Sequence, residues 1–219
     1  MIKVENIDVW GFEHAIRGMR NPMNSWDKSD SYLQYGLDVK DEYVVGNNDL
    51  DLMKRLYRAG TEHRKYLRQI QVSLDITAPL YWWKEFDTYK VGTTSNSCST
   101  MHKIHSKKFV LDDFSHDRLT EGAMLVLKDN IKALNLFREQ YIKTKDKAYW
   151  WNMIQLLPTS YNQKRTITMN YENVMNIIKQ RTGHRLDEWR EFVEMLKELP
   201  YVKQITNIDN VGDWLEYTE

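Results

Sequence analysis

The sequence is poor in cysteine and carries no net charge. One cysteine, Cys98, among 219 residues excludes an internal disulfide and a zinc site built from several cysteines. The chain has 31 lysines and arginines against 31 aspartates and glutamates, so no basic field marks a nucleic-acid or membrane binder. No apolar run approaches the roughly 20 residues of a membrane span, and the first residues do not resemble a signal peptide. We therefore expect a cytoplasmic globular protein.

Proline and glycine are also scarce. The chain has four prolines and nine glycines, so we expect long secondary-structure elements. The prolines are widely spaced, and no Gly/Ser-rich or Pro-rich linker separates two halves. Because a domain typically has about 100–200 residues, the sequence predicts one domain over residues 1–219.

Hydrophobic periodicity predicts an α+β fold in which helices dominate. Strands are expected at Ile2–Trp10 and Leu67–Ile76, and polar loops at Asn21–Tyr32 and Gly92–Ser99. Asn48 or Asp49 is the expected N-cap of the second helix, with Gly60 as its stop. The predicted helices are Phe12–Met19, Asp49–Ala59, Pro79–Tyr89, Leu119–Lys143, Ala148–Leu157, Tyr171–Arg181 and Leu186–Leu199.

Three groups of residues suggest chemistry but favour a structural role. His102 and His105 are spaced like metal ligands, yet no carboxylate completes a site, so we expect surface histidines and no metal. Cys98 has no assignable base and is expected to be an ordinary buried thiol. The triplets Tyr81-Trp82-Trp83 and Tyr149-Trp150-Trp151 are predicted to fill a core or a subunit interface rather than to stack on a ligand.

The segment from Thr93 to Thr100 is harder to interpret. It contains six hydroxyl side chains and the amide of Asn96, and it follows a predicted helix that carries Lys84 and Lys90. Hydroxyls and backbone N–H groups at such a turn can bind a phosphate or the edge of a nucleobase. A solvated Ser/Thr-rich loop is an equally good interpretation.

Several short motifs follow one another in an order similar to that found in one known family. They are Ala15-Ile16-Arg17, the helix ending at Gly60, Ser73 in the predicted strand, Leu157-Pro158, Asn170, Arg181 and Glu188-Trp189-Arg190. In this order, from the first helix to near Pro200, the chain resembles the flavin-dependent thymidylate synthases, the ThyX family.

The family's signature is altered in this chain. After the third helix the family has Arg-His-Arg and then a loop ending in Ser-x-Arg-Tyr. An ungapped alignment from Gly60 places Asp87-Thr88-Tyr89 on the first motif and Ser97-Cys98-Ser99-Thr100 on the second, so only Ser97 is kept. Asp87 cannot replace an arginine that binds an anion, and nearby lysines supply only point charges.

The resemblance implies a helix-rich ThyX-like fold with a small central sheet, a homotetramer with sites shared between subunits, and a nucleotide pocket. In the family, the counterparts of Ser97 and Arg190 hold dUMP, and the counterpart of Asn170 lies near flavin and folate. The residues predicted to bind nucleotide are thus Ser97, Ser99, Arg190, Lys84 and Lys90. Those predicted to bind a cofactor are Asn170, Thr88 and Asn96.

Two functions follow from the resemblance. The first is a divergent ThyX-like protein that binds a pyrimidine nucleotide and transfers a methyl or one-carbon group with FAD, NADPH and methylenetetrahydrofolate. The alternative is a non-catalytic protein of the same fold that binds or sequesters a nucleotide. A scaffold without a ligand is a third interpretation. The altered signature leaves no catalytic residue assigned.

Overall fold

The computed structural model describes residues 2–36 and 42–207. These described residues are 51% helical with a small antiparallel sheet, which confirms the predicted α+β class. The described residues group into two compact units, which are treated separately below. The first unit contains residues 2–6, 74–90 and 95–167, and the second contains residues 7–36, 42–73, 91–94 and 168–207. The prediction of a single domain stays a prediction.

All seven predicted helices are present in the described residues, one of them with the predicted bounds and the others with ends shifted by a few positions. They and one further helix are α1 (Phe12–Arg20), α2 (Asn47–Arg58), α3 (Leu80–Phe86), α4 (Glu121–Thr144), α5 (Lys147–Leu156), α6 (Tyr171–Arg181), α7 (Asp187–Lys197) and α8 (Val202–Thr206). The helix predicted to reach Tyr89 ends at Phe86, so Asp87-Thr88-Tyr89 lies in a turn. Gly46, not Asn48 or Asp49, precedes α2 as its N-cap. Gly60 follows the end of α2 with φ +107°, as its predicted role as a stop requires.

The strands form one sheet of four and one pair. They are β1 (Lys3–Trp10), β2 (Tyr32–Gln34), β3 (Glu42–Val44), β4 (Gln71–Pro79), β5 (Thr93–Ser97) and β6 (Asn162–Asn170). The order in the larger sheet is β1-β4-β6-β5, so β6 is a central strand and β5 is an edge strand. β2 pairs antiparallel with β3, with Leu33 opposite Tyr43.

The sequence placed the start of one strand wrongly, predicted a loop where another strand lies, and missed a third strand. The strand predicted at Leu67–Ile76 begins only at Gln71, because Lys65–Gln69 forms a 3-10 turn that also buries its apolar side chains. The loop predicted at Gly92–Ser99 contains β5, whose exposed polar side chains show no apolar alternation. β6 was missed. Its buried residues Gln163, Ile167 and Met169 lie on one face of the strand, but only two of them are apolar, so the hydrophobic alternation is too weak to predict a strand.

The first unit has an aromatic core. Trp82 and Trp83 are fully buried, and the ring of Trp82 stacks on Phe86 with centroids 5.1 Å apart. This confirms the core interpretation for the first aromatic triplet. In the second triplet, Trp150 packs against the α4–α5 core, whereas Trp151 is 50% exposed.

The second unit encloses its core between α1, α2, α6 and α7. Among its fully buried side chains are Met53, Tyr171, Trp189 and Phe192. A charged pair, Arg20 and Asp49, is buried in this unit as well.

Candidate functional site

The turn that follows α3 places a carboxylate beside a guanidinium. The backbone N–H of Asp87 donates to the carbonyl of Trp83 (2.9 Å), and the hydroxyl of Thr88 donates to the carbonyl of Glu85 (2.7 Å). These bonds end the helix and fix the turn. Oδ1 of Asp87 then accepts a hydrogen bond from Nη1 of Arg165 at 2.7 Å.

Arg165, on β6, is held by three different contacts. Besides the bond to Asp87, its Nε donates to Oε1 of Gln163 at 2.9 Å. Its guanidinium lies over the indole ring of Trp83, 4.2 Å from the centroid. Because the group is planar, these contacts fix its orientation and leave further N–H donors on it. Arg165 is thus a preorganised cation whose side chain is 14% exposed.

Gln163 connects Arg165 to the hydroxyl-rich segment. Its Nε2 donates to the carbonyl of Cys98 (2.8 Å), and the N–H of Cys98 donates to the carbonyl of Lys164 (2.9 Å). The backbone between Ser97 and Ser99 is therefore fixed against β6. We call Asp87, Ser97, Ser99, Gln163 and Arg165 the Arg165 patch.

The neighbouring residue on β6 has a different role. Lys164 alternates with Arg165 along the strand, and its Nζ lies 3.0 Å from Oδ2 of Asp75. Hydrogen bonds from Thr166, Asn6 and Lys164 lower the pKa of Asp75 to about 2. The hydrogen bond to Asp75 in turn raises the pKa of Lys164. Lys164 and Arg165 are thus each paired with a different carboxylate, and their side chains lie on opposite faces of β6.

Six of the predicted site residues lie in the first unit. Ser97 and Ser99 are exposed members of the Arg165 patch, and Oγ of Ser99 accepts from the N–H groups of Met101 (3.2 Å) and His102 (2.9 Å). The other four, which are also exposed, are Asn96 on β5, Thr88 in the turn, and the lysines Lys84 and Lys90.

Asn170 belongs to the second unit. It is the N-cap of α6, which confirms the prediction that it lies at the start of a helix. Its Oδ1 accepts from the N–H of Asn173 at 3.0 Å. The side-chain amide of Asn173 donates to the carbonyl of Val91 (2.6 Å) and to the hydroxyl of Thr93 (2.9 Å). Gly92 lies between them with φ +71°, and a Cβ there would come within 2.3 Å of Nδ2 of Asn170. A glycine is therefore required where this segment passes the cap of α6.

Arg190, in the second unit, lies on the surface of α7. It is 52% exposed, forms an ion pair with Asp187, and its Nη1 lies 3.5 Å from the carbonyl of His184. Glu194, one turn farther along α7, accepts from Lys197. The predicted contact of Arg190 with a ligand stays a prediction.

The remaining candidates are structural. Cys98 is exposed, so the prediction of a buried thiol was wrong, because it follows an edge strand whose side chains face solvent. His102 is exposed, and the ring of His105 packs edge-on against Tyr141 at 4.9 Å. Residues 2–36 and 42–207 contain no group of three metal-ligating side chains. No helix in that part of the chain has the length and apolar character needed to cross a membrane.

Sequence reasoning missed Arg165 and Gln163. Their pairing with Asp87 and Cys98 joins residues 78 and 65 positions apart, which no local motif encodes. The sequence did contain one signal for Arg165. Arg165, Ile167 and Met169 occupy every second position, so they lie on the same face of β6, which is the more buried one.

No protein-family profile and no curated protein sequence matches the chain. Solved structures do match, and they define the fold as that of the flavin-dependent thymidylate synthases.

One similar structure is thymidylate synthase X (ThyX) from Helicobacter pylori with FAD and dUMP, at a TM-score of 0.65 and 17% identity, covering 93% of this chain and 96% of that one. A second structure of the ThyX from that organism, also complexed with FAD and dUMP, gives a TM-score of 0.62 at 17% identity, covering 93% and 95%. A third is the UMP/dUMP methylase PolB from Streptomyces cacaoi bound with 5-Br dUMP, at 0.59 and 17% identity, covering 95% of each chain. At this identity the likeness establishes the fold.

Proposed function

We propose that this protein binds a pyrimidine nucleotide, with the phosphate held at the Arg165 patch. The observation that carries the proposal is the guanidinium of Arg165, fixed by Asp87, Gln163 and Trp83, while Gln163 also binds the backbone of the segment that carries the exposed Ser97 and Ser99. A fixed guanidinium binds phosphate oxygens with two parallel hydrogen bonds, and serine hydroxyls donate to the same group. The fold neighbours are complexes with dUMP or 5-Br dUMP, which supports this ligand class.

The other predicted residues extend this proposal. Lys84 and Lys90 are exposed cations of the first unit and would raise the local concentration of an anionic ligand. Asn96 and Thr88 offer polar groups in the same unit. Arg190 and Asn170 remain proposed ligand contacts on the strength of the ThyX resemblance.

FAD is a poorer fit to these residues. Its pyrophosphate carries two negative charges, and the turn after α3 presents Asp87, a carboxylate that is 52% exposed. Asp87 already takes one N–H of Arg165, so the nearest guanidinium is partly neutralised. Arg165 is thus one guanidinium for the two phosphate groups of FAD. We propose no step through flavin.

The nucleotide proposal can be tested by thermal denaturation of the full chain with dUMP and with deoxyuridine, which lacks the phosphate. We expect dUMP to raise the melting temperature and deoxyuridine to have little effect. Arg165→Gln should abolish the increase, because the charge and the paired donors are lost. Lys164→Gln is the matched control, since it removes a cation from the adjacent position that is already paired with Asp75.

Two results would contradict the proposal. If deoxyuridine stabilises the protein as much as dUMP does, the phosphate is not recognised. If Lys164→Gln abolishes the effect of dUMP and Arg165→Gln does not, the phosphate binds at the neighbouring residue of β6.

Methyl transfer to the pyrimidine ring is a second candidate. It is favoured by the fold neighbours, which include both a thymidylate synthase and a UMP/dUMP methylase. We expect thymidylate synthase activity to be absent or very weak, because each missing charged contact costs about 1.5–3 kcal/mol. Release of the C5 hydrogen of dUMP, measured with added FAD, NADPH and methylenetetrahydrofolate, tests this expectation. Rapid release would establish catalysis.

We further propose that the chain assembles as a homotetramer. The resemblance to ThyX implies this state, and α4 and α5 expose large apolar side chains in the first unit. These are Leu125, Val126, Leu136, Ile142, Trp151 and Leu156, each at least 41% exposed. Exposed apolar surface of this extent is typical of subunit interfaces. Light scattering at micromolar concentration should return about four times 26.3 kDa, whereas a 26.3 kDa particle would exclude the tetramer.

A further inference from the structure

The second unit contains a cleft of about 760 Å³ that the proposed function does not use. It lies among the end of β1, the β2–β3 pair, and the segment joining α7 to α8. Its apolar walls include Trp10, Phe12, Leu33, Tyr43, Leu199 and Tyr201. This volume is within the range of about 300–1,000 Å³ that is usual for small-molecule sites.

The aromatic walls of the cleft are held in place by the fold. The ring of Tyr201 meets the buried ring of Phe12 edge-on, with centroids 5.3 Å apart. The hydroxyl of Tyr201 accepts a hydrogen bond from the N–H of Val45 at 3.0 Å. Trp10 is 44% exposed, so its ring remains accessible to a ligand. The cleft thus has aromatic surfaces that need little rearrangement before binding.

Acidic side chains accompany these rings. The cleft is lined by the carboxylates of Asp8, Glu13, Glu42 and Glu198, and none of its lining residues is lysine or arginine. Glu198 forms an ion pair with Lys203, a residue that does not line the cleft.

One more cation, Arg17, lies near the rim, with Nη2 3.2 Å from Nδ1 of His14. The pKa of Tyr43 is raised, first by burial and then by the negative charges of Asp49 and Glu13, against a hydrogen bond with Ser31. Glu13 and Glu42 are exposed carboxylates of the lining, so the field in the cleft favours a cation.

We propose that this cleft binds an organic cation, namely a protonated amine carried on a flat aromatic body. The carboxylates of Glu13 and Glu42 would attract the ammonium group, and the rings of Trp10, Tyr43 and Tyr201 would cover the body and contact the cation through their faces. The ligand has the opposite charge to a nucleotide and involves none of the residues of the Arg165 patch.

The test uses two probes that share an indole ring and differ in charge. Tryptamine carries an ammonium group, and indole-3-propionate carries a carboxylate on a side chain of similar length. Isothermal titration calorimetry of the full chain should show tryptamine binding at least about tenfold more tightly than indole-3-propionate. Glu13→Gln and Glu42→Gln should each weaken tryptamine binding about threefold or more, because each removes an attractive charge.

Glu191→Gln on α7 is the matched control, since it removes an exposed carboxylate of the same unit that does not line the cleft. Glu13 and Glu42 are exposed, so the two cleft variants should fold. Equal binding of the two probes, no tryptamine binding at 1 mM, or equal losses in Glu191→Gln and the two cleft variants would overturn the proposal. Binding of dUMP should be unchanged in Glu13→Gln and Glu42→Gln, which separates this test from that of the nucleotide proposal.

Discussion

Two arginine–aspartate pairs differ mainly in how far they are removed from water. In the second unit, Arg20 and Asp49 are 4% and 0% exposed, with Nε of the arginine 2.5 Å from Oδ1 of the aspartate. In the first unit, the side chains of Arg165 and Asp87 are 14% and 52% exposed. The same two residue types therefore occupy very different environments.

The buried pair belongs to a saturated network. Oδ2 of Asp49 accepts from the hydroxyls of Ser29 and Ser31, each at 2.7 Å, and from the N–H groups of Asp30 and Ser31, each at 3.1 Å. Arg20 also donates from Nη1 to the carbonyl of Ser25. These bonds hold the segment from residue 25 to 31 against α2. The buried pair is therefore structural, whereas the Arg165 pair is partly exposed to solvent.

The largest effect is expected from Asp49→Ala. It leaves Arg20 buried without its counterion and removes the acceptor of four further hydrogen bonds. We expect a loss of about 3–5 kcal/mol in the free energy of unfolding, measured by urea denaturation at pH 7. Should Asp49→Ala not fold, Asp49→Asn replaces it, with a smaller loss expected. A loss below about 1 kcal/mol in either variant would contradict a structural role for the pair.

The pH dependence of stability should show the same network. Burial acts to raise the pKa of Asp49, but hydrogen bonds from Ser29, Ser31 and Arg20 outweigh it, so this pKa is lowered. A carboxyl whose pKa is lower in the folded state stabilises the fold above its ordinary pKa, near 3.8, and this contribution is lost as the pH falls below that value. The difference in unfolding free energy between the parent protein and Asp49→Asn should therefore shrink between about pH 5 and pH 3. A constant difference over that range would show that the charge of Asp49 does not matter.

Asp87→Ala should cost much less stability than Asp49→Ala. Water solvates the exposed half of Asp87, and Arg165 keeps its contacts with Gln163 and Trp83. We expect about 1 kcal/mol or less in urea denaturation, together with a measurable change in the response of the melting temperature to dUMP, since Asp87 orients Arg165. If the loss equals that of Asp49→Ala, burial does not account for the difference between the two pairs.

Arg190→Ala should have the smallest effect on stability. Its pair with Asp187 spans one turn of α7 and is solvated, so we expect about 0.3–0.5 kcal/mol. If Arg190 contacts the nucleotide, the same variant should also abolish the rise in melting temperature caused by dUMP. Binding of dUMP as tight as in the parent protein would remove Arg190 from the proposed site.

The sequence predicted the helices and the edge strand β1 well, but it missed the strands β5 and β6. The helix from Tyr171 to Arg181 was predicted to the residue, because it has a capping asparagine at its start and a continuous apolar face. The strand Thr93–Ser97 was not predicted, since its side chains are polar and exposed and its conformation depends on pairing with a distant strand. Arg165 was missed for a related reason, because its link to the segment of Ser97 and Ser99 runs through Gln163 and the carbonyl of Cys98, 65 positions away along the chain.

By itself the sequence determined the α+β class, the long helices and the altered signature Asp87-Thr88-Tyr89, because these depend on residue type and local spacing. Only the tertiary structure decided what the alteration means. Asp87 comes to lie beside Arg165, 78 positions away, and Gln163 ties that arginine to the segment holding Ser97 and Ser99. Side-chain pairs across a sheet depend on strand order and register, which are set by the packing of the whole chain and cannot be read from any one segment.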